Sequence, residues 1–301
     1  MKLIKPSYEI LTPTDWREWG IKKFIELIGR TCYKSEDKIT DDSYKVFVQK
    51  MIDSRHYAML EHGTIYITAS DYIYYTKLIG DYDKNKYSIV KEHFDEYGNV
   101  IHCITTNLRV LIENGWINDL CYLSEPTEYH AKRITVKFIC NRQVSHEFVR
   151  HRVFSFAQES TRYCNYTKGK FGGELTFILP CWLYKYSNHD LCIDEEGHWD
   201  ANTYYRLPQQ SYQISYSLGQ LHSSEASYKA LIENDWKPQQ AATILPNALK
   251  TELVMTGFVK DWQHFFNLRA LGKTGAPHPQ AKELALPLYN DFVKLGYIKE
   301  K

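Results

Sequence analysis

The chain has 301 residues, 44% hydrophobic and 24% charged, long enough for a sizeable core in one large domain or two small ones. Its formal net charge of +1 excludes a global field pulling it toward nucleic acid or an anionic membrane, so any basic function is local. Seven Cys, an odd number with no CxxC pair, exclude a disulfide framework or a zinc ribbon and suit a reduced, cytoplasmic protein.

Neither a signal-like apolar run at Met1-Lys2-Leu3-Ile4-Lys5-Pro6 nor a membrane-length stretch is found. Alternation over 3–11 predicts a strand. Thr14-Asp15 predicts the cap of a helix from 16 to about 30, with Ile21, Phe24, Ile25 and Ile28 on one face. Arg30-Thr31-Cys32-Tyr33-Lys34-Ser35 ends it. Asp41-Asp42 opens a second helix carrying Tyr44, Val46, Phe47 and Met51. His56-Tyr57-Ala58-Met59-Leu60-Glu61-His62 then leads into a strand at 64–68.

Residues 70–132 are Tyr-rich and mixed, with a helix expected at 106–114 and a hairpin-like turn at Asp95-Glu96-Tyr97-Gly98-Asn99; no chemistry is assigned to them. Next come a strand at 134–140, a short helix at 142–149 and a strand at 175–179 stopped by Pro180. An exposed acidic loop is expected over 184–205. A long helix follows from 207 to 234, with Tyr212, Ile214, Leu218, Leu221 and Leu231 as its apolar positions. A strand at 251–256, a helix at 259–269 and a last helix opened by His278-Pro279-Gln280, with Leu284, Leu288 and Phe292, close the chain. With no repeat and no Pro/Gly-rich linker, a single α/β domain of the α+β type over 1–301 is expected, a central mixed sheet flanked by helices.

The densest chemistry is Arg150-His151-Arg152-Val153-Phe154-Ser155-Phe156-Ala157-Gln158-Glu159-Ser160-Thr161-Arg162-Tyr163. Packing that many cationic groups among aromatics calls for an anion to meet them. A single-stranded nucleic-acid or nucleotide-binding module is the alternative use of such Arg and aromatic residues. Against it, basic residues gather into no stripe elsewhere. His146-Glu147 with His151 superficially matches a zinc-protease helix, but five-residue spacing turns the two imidazoles roughly 140° apart. No metal is expected. Pro180-Cys181 could present a nucleophilic thiol, but Trp182 follows rather than His, and Cys181 reads as a packing residue.

Arg150-His151-Arg152, seven residues, then Ser160 resembles the signature of flavin-dependent thymidylate synthases. Three further stretches are similar to that family's landmarks, in the same order: His56 through Glu61-His62, Pro238 through Leu245-Pro246, and Asn267-Leu268-Arg269. A fourth lies near His278. The resemblance spans residues 30 to 280, with 70–132 as an insertion.

It implies FAD as cofactor, NADPH as reductant, methylenetetrahydrofolate as cosubstrate and carbon donor, dUMP as substrate, and a homotetramer. It implies catalytic roles for Arg269 and His56. dUMP would be held by Glu147, Arg150, Gln158, Glu159, Ser160, Thr161, Arg162 and Arg269. FAD would meet Ala58, Glu61, Arg150, His151, Arg152, Gln158, Lys260 and His264. Departures from the family pattern stand at Ala58, Glu147, Ala242, Phe258, Lys260 and His264.

Overall fold

The computed structural model describes residues 1–70, 75–206 and 212–300. Its strands are β1 (Lys2–Ile4), β2 (Ser7–Leu11), β3 (Thr64–Ser70), β4 (Ile89–Phe94), β5 (Val100–Asn107), β6 (Arg133–Asn141), β7 (Ser155–Gln158), β8 (Thr176–Ile178) and β9 (Lys250–Phe258). The helices are α1 (Glu18–Tyr33), α2 (Ser43–Asp53), α3 (Tyr75–Lys84), α4 (Leu108–Asn114), α5 (Arg142–Phe148), α6 (Asn188–Leu191), α7 (Ala201–Arg206), α8 (Tyr212–Glu233), α9 (Pro238–Ala241), α10 (Val259–Arg269) and α11 (Pro279–Lys294).

Pro6 divides the strand expected at 3–11. It has no N–H for a ladder, and the two halves join different partners: β1 pairs parallel with β8, and β2 antiparallel with β6. The sheets are β2-β6-β9-β7 and β3-β5-β4, both antiparallel, and the parallel pair β1-β8, with helices packed against them. β9 lies between β6 and β7, and its residues 251–258 are all buried. Such a strand reads as the continuous apolar run Leu253-Val254-Met255 rather than as an alternation.

Several local expectations yield to tertiary context. Asp15 does not cap α1; its carboxylate is taken by the Arg17 N–H and guanidinium, and the helix begins at Glu18. Val46 is 75% exposed, while Val48 takes the inward position of α2. Tyr212 is likewise exposed on α8, whose buried side carries Ile214, Leu218 and Leu221. The expected start of that helix at 207–211 falls outside the described residues.

The acidic stretch 184–205 is not merely a surface loop. Asp194, Glu196 and His198 are exposed, but Leu191, Trp199 and Tyr204 enter a core with Leu3, Phe177 and Tyr228. Among its described residues the 70–132 segment carries α3, β4, β5 and α4. β4 and β5 form a hairpin around Asp95–Asn99, where Gly98 takes φ +81°, and β5 then pairs along β3. Asn107 ends β5 and caps α4, accepting the Val110 N–H at 3.2 Å.

The sheet register sets up the site. Ser155 pairs with Thr256 and Arg133 with Phe258, so the start of β7, the start of β6 and the end of β9 lie together. The chain enters β7 from the Arg150–Arg152 turn and leaves β9 into α10. Beneath them Phe138, Phe148, Phe154, Trp262, Phe265 and Phe266 form one buried aromatic core, worth of order 1.5–3 kcal/mol per fully buried side chain. Trp262 Nε1 donates to the Ile134 carbonyl at 3.1 Å, so its one polar atom is satisfied.

Candidate functional site

Asn141 caps α5 by accepting the Val144 N–H at 2.8 Å, and the helix runs only to Phe148. A tight turn follows, with the His151 N–H on the Phe148 carbonyl and the Phe154 N–H on the His151 carbonyl, both at 3.1 Å. The turn sorts its side chains by chemistry. His151 and Phe154 go inward, while Arg150, Arg152 and Val153 stay exposed.

Arg269, at the last turn of α10, meets this turn from the other side. Its Nε donates to His151 Nε2 at 3.1 Å, one terminal nitrogen to the Glu147 carboxylate, and the other to the Glu147 carbonyl at 3.1 Å. His151 therefore accepts through Nε2 and is neutral there. Burial, helped by Arg269, His264 and Arg150, holds its pKa down to about 4. This corrects the expectation that His151 adds positive charge; it orients Arg269 instead. Because its folded pKa is depressed, its contribution to stability is intact above the ordinary value of 6.5 and is lost as pH falls toward about 4.

A cavity of about 800 Å³ opens over these groups, lined by Glu147, Arg150, His151, Arg152, His264 and Arg269. Its far wall is the loop Thr274-Gly275-Ala276-Pro277-His278, of which only His278, near the fourth landmark, stood out in the sequence. Gly272 lets that loop turn back: its φ is +65°, and a Cβ there would stand 3.1 Å from both the Gly275 oxygen and Pro277 Cδ.

A second cavity of about 560 Å³ shares Arg152 and Val153 with the first, so the two adjoin. Glu61 and Lys260 line it, with Arg133, Ser155, Phe258 and Asp261. Lys86, Tyr87 and Arg109 come from the 70–132 segment, to which no chemistry had been assigned. Arg109 pairs with Glu61 at 2.5 Å and Glu113 at 2.8 Å. Burial pushes the Asp261 carboxyl upward.

The other expected residues line neither cavity. His56 is exposed and Ala58 half-buried, at the start of the 3-10 turn Tyr57–His62. Gln158 donates to Ser145 Oγ at 2.9 Å and Thr251 Oγ1 at 3.2 Å, inside the protein. Glu159 is buried, accepting from Lys250 and from the Tyr166 hydroxyl, each at 2.9 Å. Ser160 Oγ accepts the Arg162 N–H at 3.3 Å, Thr161 is half-buried, and Arg162 is exposed over the Tyr163 ring.

Comparison with known proteins bears on what such a site does. A family model described as thymidylate synthase complementing protein matches residues 96–295, about two thirds of the chain, and leaves the His56–His62 stretch outside the match. A flavin-dependent thymidylate synthase of Corynebacterium glutamicum is 28% identical over 131 residues, covering 43% of this chain and 46% of that protein. One of Thermococcus onnurineus is 30% identical over 131 residues, covering 44% of this chain and 43% of that protein. The chain thus spans under half the length of these relatives. A UMP/dUMP methylase PolB from Streptomyces cacaoi, solved with 5-Br dUMP, aligns with a TM-score of 0.43 at 13% identity over 98% of this chain and 93% of that one, too distant to carry weight. Among the described residues no helix is long and apolar enough to cross a membrane.

Proposed function

The chain belongs to the thymidylate synthase complementing protein family, and from that premise we propose that it is a flavin-dependent thymidylate synthase. dUMP, methylenetetrahydrofolate, NADPH and a proton would give dTMP, tetrahydrofolate and NADP⁺. The observation that carries this reading is Arg269, held by Glu147 and His151 at a cavity edged by Arg150 and Arg152.

The residues present fit FAD. Among the described residues Arg150, Arg152 and Lys260 form no ion pair, leaving cations to meet an anionic cofactor around two adjoining cavities. Reduced FAD, when bound, would supply the hydride that completes the new methyl group. Arg150, His151, Arg152, His264, Lys260 and Glu61 are proposed to hold it, with Ala58 and Gln158 as the further contacts the family pattern implies. His56 is proposed to assist catalysis. Arg269 would steady the uracil as charge builds on its ring.

Ser160 and Arg162, with Thr161, Glu147, Gln158 and Glu159, are proposed for dUMP. Because 158–162 lines neither cavity of its own chain, a site assembled between copies in a homotetramer suits this reading. The protein should take up FAD on purification, seen as flavin absorbance. A colourless protein whose spectrum stays unchanged on adding FAD removes the proposal.

Ser160→Ala should weaken dUMP binding about ten- to a hundredfold, the worth of one charge-assisted hydrogen bond, roughly 1.5–3 kcal/mol, while FAD affinity holds. Titration showing unchanged dUMP affinity would remove Ser160 from the site. No protein nucleophile is required in this scheme. Burial and Glu283 push the Cys181 thiol above its ordinary value, which disfavours a thiolate. Cys181→Ser should keep its turnover, and a folded but inactive variant would restore covalent catalysis.

A further inference from the structure

Glu61 brings a carboxylate to the wall of a cavity that also offers the cations Arg152 and Lys260. A flexible Glu left free there would turn to the nearest cation or repel an anionic ligand. Among the described residues its carboxylate meets one cation, Arg109, at 2.5 Å. Of Glu61, Arg133 reaches only the backbone carbonyl, at 3.1 Å.

Arg109 stands there because the 70–132 segment is tied to the Tyr57–His62 turn. β5 pairs with β3 so that Asn107 lies opposite Thr64, and the Leu108 N–H donates to the Gly63 carbonyl at 2.9 Å. Asn107 caps α4, and the first turn of that helix carries Arg109 across to Glu61. Its other terminal nitrogen meets Glu113, four residues on, at 2.8 Å. A planar guanidinium gripped on two sides fixes the direction of the Glu61 carboxylate, which one ammonium contact would not. The side chains of Arg109 and Glu61 are 37% and 27% exposed, so the pair adds little to folding. Its consequence lies in what the cavity presents to a ligand.

We propose that Arg109 is a positioning residue for Glu61, supplied by the 70–132 segment: it aims the carboxylate and cancels its charge, so that the cavity can take an anionic cofactor. With Arg109 in place Glu61 is an acceptor of fixed direction. Without it the same group is a mobile anion on the wall of a cavity that must admit the negative charge of FAD. The inference rests on the flavin reading for the identity of the cofactor. It gives the 70–132 segment a task that the His56–His62 stretch does not perform alone.

The test titrates FAD into the wild type, Arg109→Lys, Arg109→Gln, Glu61→Gln and the Arg109→Gln/Glu61→Gln double variant, with a thermal melt of each without ligand. Arg109→Gln should weaken FAD binding about five- to tenfold, while its melt stays within about 3 °C of the wild type. Arg109→Lys restores the charge without the two-sided grip and should bind FAD within about threefold of the wild type. In the Glu61→Gln background, Arg109→Gln should change FAD affinity by less than about twofold, because no carboxylate is left to position. Effects that multiply in the double variant would mean that Arg109 acts by a contact of its own, which overturns the proposal. A loss of FAD in both Arg109 variants matched by a collapse of their melts also overturns it. If the wild type refuses FAD, the flavin reading falls and this inference falls with it. If the wild type and Arg109→Gln bind FAD equally, this inference falls alone.

Discussion

Arg269→Lys should fold, keep its FAD and lose dTMP formation by about a hundredfold or more, the scale of removing one preorganised donor to developing charge. As a mere helix-end cation Arg269 would contribute only about 0.3–1 kcal/mol to stability, and Lys would replace it there. The structure gives it a more demanding task. Three donors on one plane reach His151 Nε2, the Glu147 carboxylate and the Glu147 carbonyl. A guanidinium has five N–H groups, so two remain, in that same fixed plane, for a ligand in the cavity. An ammonium cannot hold its position through three such contacts and still offer two. The loss should appear in turnover more than in binding, because the charge it answers develops in the transition state. Thermal stability, flavin content and dTMP formation measured on this one variant decide it. Near-normal turnover would remove Arg269 from catalysis.

Glu252→Ala should destabilise the protein by about 3–5 kcal/mol, the cost of breaking a buried ionic network from one side. Glu252 is buried and meets Lys34 at 2.8 Å, Lys250 at 2.7 Å and Lys137 at 2.6 Å. Without it, Lys250 keeps Glu159 and Lys34 keeps Glu36, but Lys137 loses its carboxylate partner and the three ammonium groups face one another across the gap. Burial alone would raise the Glu252 pKa; Lys250, Lys34 and Lys137 outweigh it and hold the carboxyl well below the usual range. A depressed carboxylate pKa contributes stability that is present above the ordinary value of 4.5 and lost as pH falls through the folded value. Wild-type stability should therefore fall with acidification from about pH 4.5, and the variant should lack that part of the slope. Urea unfolding at neutral and acid pH measures both. A change under about 1 kcal/mol would mean that the network is solvated and loose.

By itself the sequence determined the local devices. Whereas the exposed turn at Arg150-His151-Arg152 replaces the packed segment its aromatic neighbours suggested, the helix ending at Arg269, the strand expected over 251–256 and the hairpin at Asp95–Asn99 stand where residue pattern places them. Each depends on neighbours within a few residues: a cap, a turn glycine, an apolar run. Only the tertiary structure decided which charges meet. Glu159 sits beside Ser160 in sequence, yet burial gives it to Lys250, ninety-one residues away. His151 lies between two arginines and looks like a third cation, but the packing of Phe154 and Phe265 around it leaves it neutral. Arg133, just before the strand expected at 134–140, carries no signal in the sequence until β6, β7 and the Glu61 turn close around its guanidinium. The reason is physical. Backbone conformation is set over the span of a turn, whereas the protonation and pairing of a side chain depend on desolvation and on charges brought close by the fold, and sequence distance carries no information about either.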